Sequence, residues 1–137
     1  MGRIVDAFEY HDQELVDSGK LIVFCNNNNA DEGISLNVPL AEKLKEVSPT
    51  KRNLQMEKYI SEIIDSHEES LIKDFDILFN PIYKIDLLQI FINLKKTKDI
   101  SIRWPGELKE NRLIYAEPEY DDYKTFTIDN YDIICVK

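Results

Sequence analysis

Leu21-Ile22-Val23-Phe24-Cys25, then Asn26-Asn27-Asn28-Asn29-Ala30-Asp31-Glu32, then Gly33-Ile34-Ser35-Leu36-Asn37-Val38 is the stretch on which the fold turns. Five consecutive apolar residues, set between Gly19-Lys20 and four asparagines, have the pattern of a strand covered on both faces in a parallel sheet. Ile34, Leu36 and Val38 alternate with Ser35 and Asn37, which predicts a half-buried strand stopping at Pro39. A helical crossover between parallel strands takes about a dozen residues or more, and this connection is shorter. It sits where an α/β nucleotide-binding domain carries its phosphate loop and first helix. A hairpin across the asparagines is the alternative connection.

Upstream, Ile4, Phe8, Leu15 and Val16 recur at near-helical spacing and predict a short amphipathic helix over residues 3–18, ended by Gly19. Downstream, Pro39 suits the first position of a helix carrying Leu40, Leu44 and Val47. A second helix is expected from Leu54 to Ser66, with Met56, Ile60, Ile63 and Ile64 inside. Ser70 to Asp74 reads as a strand, Phe75 to Pro81 as an apolar turn or short strand ended by proline, and Ile85, Leu88, Phe91 and Ile92 as the inner face of a further helix. Ile100, Ile102 and Trp104 alternate along a strand closed by Pro105-Gly106. The rest, through Leu113 to Tyr115, Tyr123 to Ile128 and Tyr131 to Val136, reads as a β-meander at a sheet edge.

The chain has 137 residues, enough for one domain with a proper core, and a single domain spanning 1–137 is expected. Apolar residues at 43% and charged residues at 31% are those of a soluble globular protein. No apolar stretch approaches the roughly 18 residues of a membrane span, and the N-terminus lacks a secretory apolar core, so no membrane partner and a cytoplasmic location are expected. A net charge of −9 repels phosphates, which argues against strong direct nucleic-acid binding. Cys25 and Cys135 lie in apolar runs without CxxC spacing and read as buried reduced thiols. With His11 and His67 the only histidines, zinc chemistry lacks ligands.

Four segments carry a family resemblance: Leu36-Asn37-Val38-Pro39-Leu40-Ala41-Glu42-Lys43-Leu44, Asp74-Phe75-Asp76-Ile77-Leu78-Phe79-Asn80-Pro81, Arg103-Trp104-Pro105-Gly106 and Tyr115-Ala116-Glu117-Pro118. In their order and spacing the chain resembles BrxF, the small P-loop-containing protein of type 3 BREX phage-defence systems. The resemblance implies a RecA-like or AAA-like α/β domain with a mostly parallel sheet flanked by helices, binding ATP among larger BREX partners. The chain departs from this pattern at its centre. A phosphate loop, G-x-x-x-x-G-K-[ST], supplies backbone amides, a lysine and a magnesium-binding hydroxyl. None of the glycines at 2, 19, 33 and 106 begins one, and Gly19-Lys20 precedes the first strand and is followed by leucine.

As the sequence stands, no cofactor is expected; magnesium-ATP is implied only if the full gene product carries a phosphate loop. Asparagines 26–29 read as a solvated turn, with a left-handed anion nest as the alternative. Asp74 stands where the resemblance places a magnesium-binding aspartate, and otherwise reads as a solvated strand-end residue. Asp76 points to the same side if the strand continues, making a paired-carboxylate metal site. Arg103 is a candidate anion or partner contact, and Trp104 a partner-facing corner or core packing. Tyr115, Tyr120, Tyr123 and Tyr131, with Glu117, Glu119, Asp121 and Asp122, form a candidate protein-recognition surface, with Tyr120 and Tyr123 as its contact residues, or the solvated loops of an ordinary meander. The expectation is thus an inactive assembly module of a BREX-type system. Its rivals are an ATP-hydrolysing component whose phosphate loop is missing from the sequence, and an unrelated binding domain. Self-association is compatible with any of them.

Overall fold

A computed structural model describes residues 2–6, 19–25 and 32–137. Six strands form one sheet: β1 (Arg3–Val5), β2 (Leu21–Phe24), β3 (Ile34–Ser35), β4 (Leu71–Lys73), β5 (Ser101–Arg103) and β9 (Ile133–Val136), in the spatial order β1-β9-β2-β5-β4-β3. Every pairing in it is parallel. Between β3 and β4 lie α1 (Asn37–Leu44) and α2 (Pro49–Asp65); between β4 and β5 lie a 3-10 turn (Asp76–Phe79) and α3 (Leu87–Lys95). The segment after β5 builds a separate antiparallel sheet, β6 (Glu107–Lys109), β7 (Arg112–Tyr115) and β8 (Lys124–Thr127), before the chain returns to the parallel sheet as β9.

The architecture is therefore α/β, with a parallel sheet, helices and a C-terminal antiparallel sheet. Alternate strand residues divide between two clusters. Leu21, Val23, Ile72, Ile102, Ile133 and Cys135 join the inner residues of all three helices in the main core. Ile22, Ile134 and Val136 form a smaller cluster with Val5 and Phe24 on the opposite face. Met56, Ile60, Ile63 and Ile64 are buried from α2, as its spacing predicts.

Several expectations fail, each through a partner distant in sequence. Arg3–Val5 is a strand, not the start of a helix, because it pairs residue for residue with Ile134–Val136; residues 7–18 of that expected helix lie outside the described residues. Residues 133–136 leave the meander and enter the parallel sheet between β1 and β2, all four buried. The expected edge meander is thus a sheet of its own. The strand at Ile34 stops at Ser35 and α1 begins at Asn37, which leaves Val38 68% exposed. A hairpin across the asparagines is also overturned. β2 pairs with β5 and β9, while β3 pairs with β4 at the far edge. Residues 26–31 themselves lie outside the described residues.

Both cysteines are free thiols, Cys135 buried and Cys25 half-buried. A hydrogen bond with Cys25, and then burial, push the Cys135 thiol far above its ordinary range, so it is a protonated packing group. Among the described residues, no helix is long and apolar enough to cross a membrane.

Trp104 joins the two sheets. Its indole N–H donates to the Ile114 carbonyl of β7 at 3.0 Å, and its ring meets Phe75, Phe79 and Phe126 edge to face. Gly106 makes this join possible, since a Cβ there would stand 2.0 Å from the Ile114 oxygen.

Candidate functional site

Because all six strands run the same way, their carboxyl ends share one edge of the sheet, where open α/β sheets place ligands. At that edge the β3–β4 pairing continues past the strands: Leu36 N–H donates to Lys73 O at 3.1 Å and Asn37 N–H to Asp74 O at 2.8 Å. Asp74 then turns the chain with φ +48°, in the left-handed region that few residues other than glycine adopt. The turn lets Phe75 drop into the core and Asp76 open the 3-10 turn.

Three side chains lock this corner. Asn37, from the first turn of α1, accepts the Ile77 N–H at 2.9 Å and donates to Asp76 at 3.3 Å. The Ser35 hydroxyl donates to Asp74 at 2.5 Å. From the antiparallel sheet, the Tyr115 hydroxyl donates to the other oxygen of Asp76 at 2.8 Å. Burial, then the hydrogen bond and charge of Asp76, raise the Tyr115 hydroxyl well above the usual tyrosine range, so it remains a donor at any physiological pH. Beside this corner opens a cleft of about 680 Å³ lined by Asn37, Asp76, Asn80, Tyr115, Asp121 and Asp122. Its three carboxylates, Asp76, Asp121 and Asp122, make it an acidic mouth.

The sequence-derived candidates separate in space and in role. The strand does not continue from Asp74 to Asp76, since it ends at Lys73, and the two carboxylates accept from different partners, Ser35 in one case and Asn37 with Tyr115 in the other. Among the described residues no group of three or more histidine, cysteine or carboxylate side chains is arranged to hold a metal ion. Arg103 is half-buried at the end of β5, in register with Phe24. Trp104 is 3% exposed and serves as core packing between the sheets. Tyr120 is 60% exposed, and Tyr123 is half-buried where the 117–123 turns lead into β8.

The sequence groups Tyr115 with the acidic tyrosine cluster and gives Asn37 no site role; it places neither of them beside Asp76. Thirty-nine residues separate Asp76 from each of them, so no local pattern links the three. Comparisons with protein-family models, curated proteins and solved structures find no match to this chain.

Proposed function

We propose that this protein is an accessory component of a BREX-type bacterial defence system, built on a degenerate P-loop-like domain and working as an assembly module instead of an ATPase. The observation that carries the inactive reading is the state of Asp74. It directly follows β4 at the carboxyl edge of the parallel sheet, yet its carboxylate accepts from Ser35, and the sequence holds no Gly-Lys-Ser or Gly-Lys-Thr to share a magnesium ion with it. The assembly role is supported by the acidic loop Glu117 to Asp122, which carries the exposed Tyr120 beside an open, carboxylate-lined cleft. Such a surface suits a basic protein partner better than a nucleic acid.

Two measurements test this. Titration calorimetry with magnesium and ATP is expected to register no micromolar binding; micromolar affinity overturns the inactive reading in favour of a nucleotide-dependent enzyme. Co-expression with the proteins encoded beside its gene is expected to yield a complex with a larger BREX component. A gene neighbourhood without BREX methyltransferase, phosphatase-like and helicase-like frames would overturn the defence assignment.

A further inference from the structure

The antiparallel sheet has an edge, β8, that is paired on one side only among the described residues. Ile128 N–H donates to Asn111 O at 3.0 Å, in register with the pairs Arg112↔Thr127, Leu113↔Phe126 and Ile114↔Thr125. Hydrogen-bonded and non-hydrogen-bonded pairs alternate in an antiparallel ladder. Residues 128, 126 and 124 therefore bond toward β7, and the N–H groups of Thr125 and Thr127, with the Thr125 carbonyl, point away from it. None of these three groups has a hydrogen-bond partner among the described residues, and both threonines are exposed. Phe126 meanwhile is buried against Trp104, so the strand is held straight from behind.

Two other edges, β6 and β3, offer less. β6 turns outward only at Leu108, between Glu107 and Lys109, and β3 has two residues. Beside the start of β8, a groove of about 460 Å³ is lined by Pro81, Tyr83, Lys84, Ile85, Asp86 and Lys124, so it suits the apolar side chains of an added strand and not its cations; Ile82 beside it is 54% exposed. An unpaired strand next to a partly apolar groove is the arrangement that accepts an added strand: main-chain hydrogen bonds supply affinity, and alternate side chains enter the groove.

We propose that β8 is a docking edge for an extended, basic segment of a partner protein, which adds as a fourth strand beside Thr125 and Thr127. Charge selects this occupant. Glu117, Glu119, Asp121 and Asp122 precede the edge and Asp129 follows it, in a chain of net charge −9. A second copy pairing edge to edge would bring the acidic loop of each chain against the Asp129 end of the other, and like charges at an interface select against it. A segment alternating lysine or arginine with apolar residues meets opposite charge at both ends. This inference rests on the assembly-module reading and specifies its contact.

The test uses Thr127→Pro. The φ of Thr127 is −75°, already that of proline, and its N–H faces outward, so the substitution removes a docking donor without touching the ladder to β7. A fluorescent six-residue peptide alternating lysine and valine is titrated into the full chain by polarisation, beside a glutamate–valine counterpart. Binding of the lysine peptide that weakens with added salt, exceeds that of the glutamate peptide, and drops at least tenfold in Thr127→Pro supports the edge. Equal binding by the variant, or no lysine-peptide binding at millimolar concentration, overturns it. Wild-type and variant chains are also co-expressed with the neighbouring BREX proteins. A complex lost in the variant supports the edge, whereas a complex retained there overturns the edge and leaves the module reading standing. Peptide binding without any BREX complex keeps the edge and overturns the module assignment.

Discussion

Tyr115 lies flat against Phe79, with ring centroids 3.7 Å apart and 9° between their planes, while its hydroxyl reaches Asp76 at 2.8 Å. One side chain thus binds the antiparallel sheet to the parallel sheet's carboxyl edge in two ways, by an apolar stack and by a charge-assisted hydrogen bond.

The two contributions separate by mutation. Tyr115→Phe keeps the stack and loses the hydrogen bond, with an expected cost of about 1 kcal/mol. Tyr115→Ala loses both and costs roughly 2–3 kcal/mol, less than a fully buried ring because Tyr115 is half-buried. Urea unfolding of both variants, in a cycle with Asp76→Ala, is expected to show coupling between 76 and 115; additive effects would mean that the bond contributes nothing.

Trp104 is the only tryptophan in the chain, and its indole is buried between the two sheets. Its fluorescence should shift to the red on unfolding in step with loss of helical circular dichroism, since one core cluster includes residues of both sheets. Trp104→Phe retains most ring contacts and is expected to cost about 1–2 kcal/mol; Trp104→Ala opens a cavity and is expected to cost about 3–5 kcal/mol. A Trp104→Ala protein as stable as wild type would refute the joining role.

Ala116 follows Tyr115 with φ +63°. An L-residue pays roughly 1–2 kcal/mol for that conformation and glycine does not, though glycine carries about 0.5–1 kcal/mol more unfolded-state entropy. Ala116→Gly should therefore stabilise the protein by about 0.5–1 kcal/mol, read as a raised thermal midpoint. A lowered midpoint would show that this turn is not strained.

Tyr131 donates to Asp86 at 2.8 Å, and burial, followed by that bond and the charge on Asp86, pushes its pKa up to about 12. The folded state therefore holds the phenolic proton more tightly than the unfolded chain, whose tyrosine titrates near 10. The stabilisation is fully present below about pH 10 and is lost as pH rises toward 12. Tyr131→Phe cannot titrate here, so the stability gap between wild type and variant should narrow across that interval in denaturant titrations. A gap constant from pH 8 to 12 would contradict the Asp86 pairing.

Local pattern was enough for the elements whose burial is set by their own spacing. The inner face of α2 follows from helical period, the core face of β5 from alternation, and β2 from a continuous apolar run. The candidate site was less legible. Asp74 and Asp76 stood out as carboxylates after a strand, but the backbone reversal at Asp74 sends them to different partners. Trp104 was readable either as corner or as core, and only the packing of Phe75, Phe79 and Phe126 around it decides for the core.

Composition and periodicity alone determined an α/β chain of strongly acidic character without a recognisable phosphate loop, because those properties depend on residues near one another in sequence. Tertiary structure decided that Arg3–Val5 is a strand, that Ile133–Val136 lies inside the parallel sheet, and that Asn37 and Tyr115 meet at Asp76. Each of those outcomes needs hydrogen-bonding partners supplied from far along the chain, and a strand edge or a carboxylate does not encode in its neighbours which distant group will satisfy it.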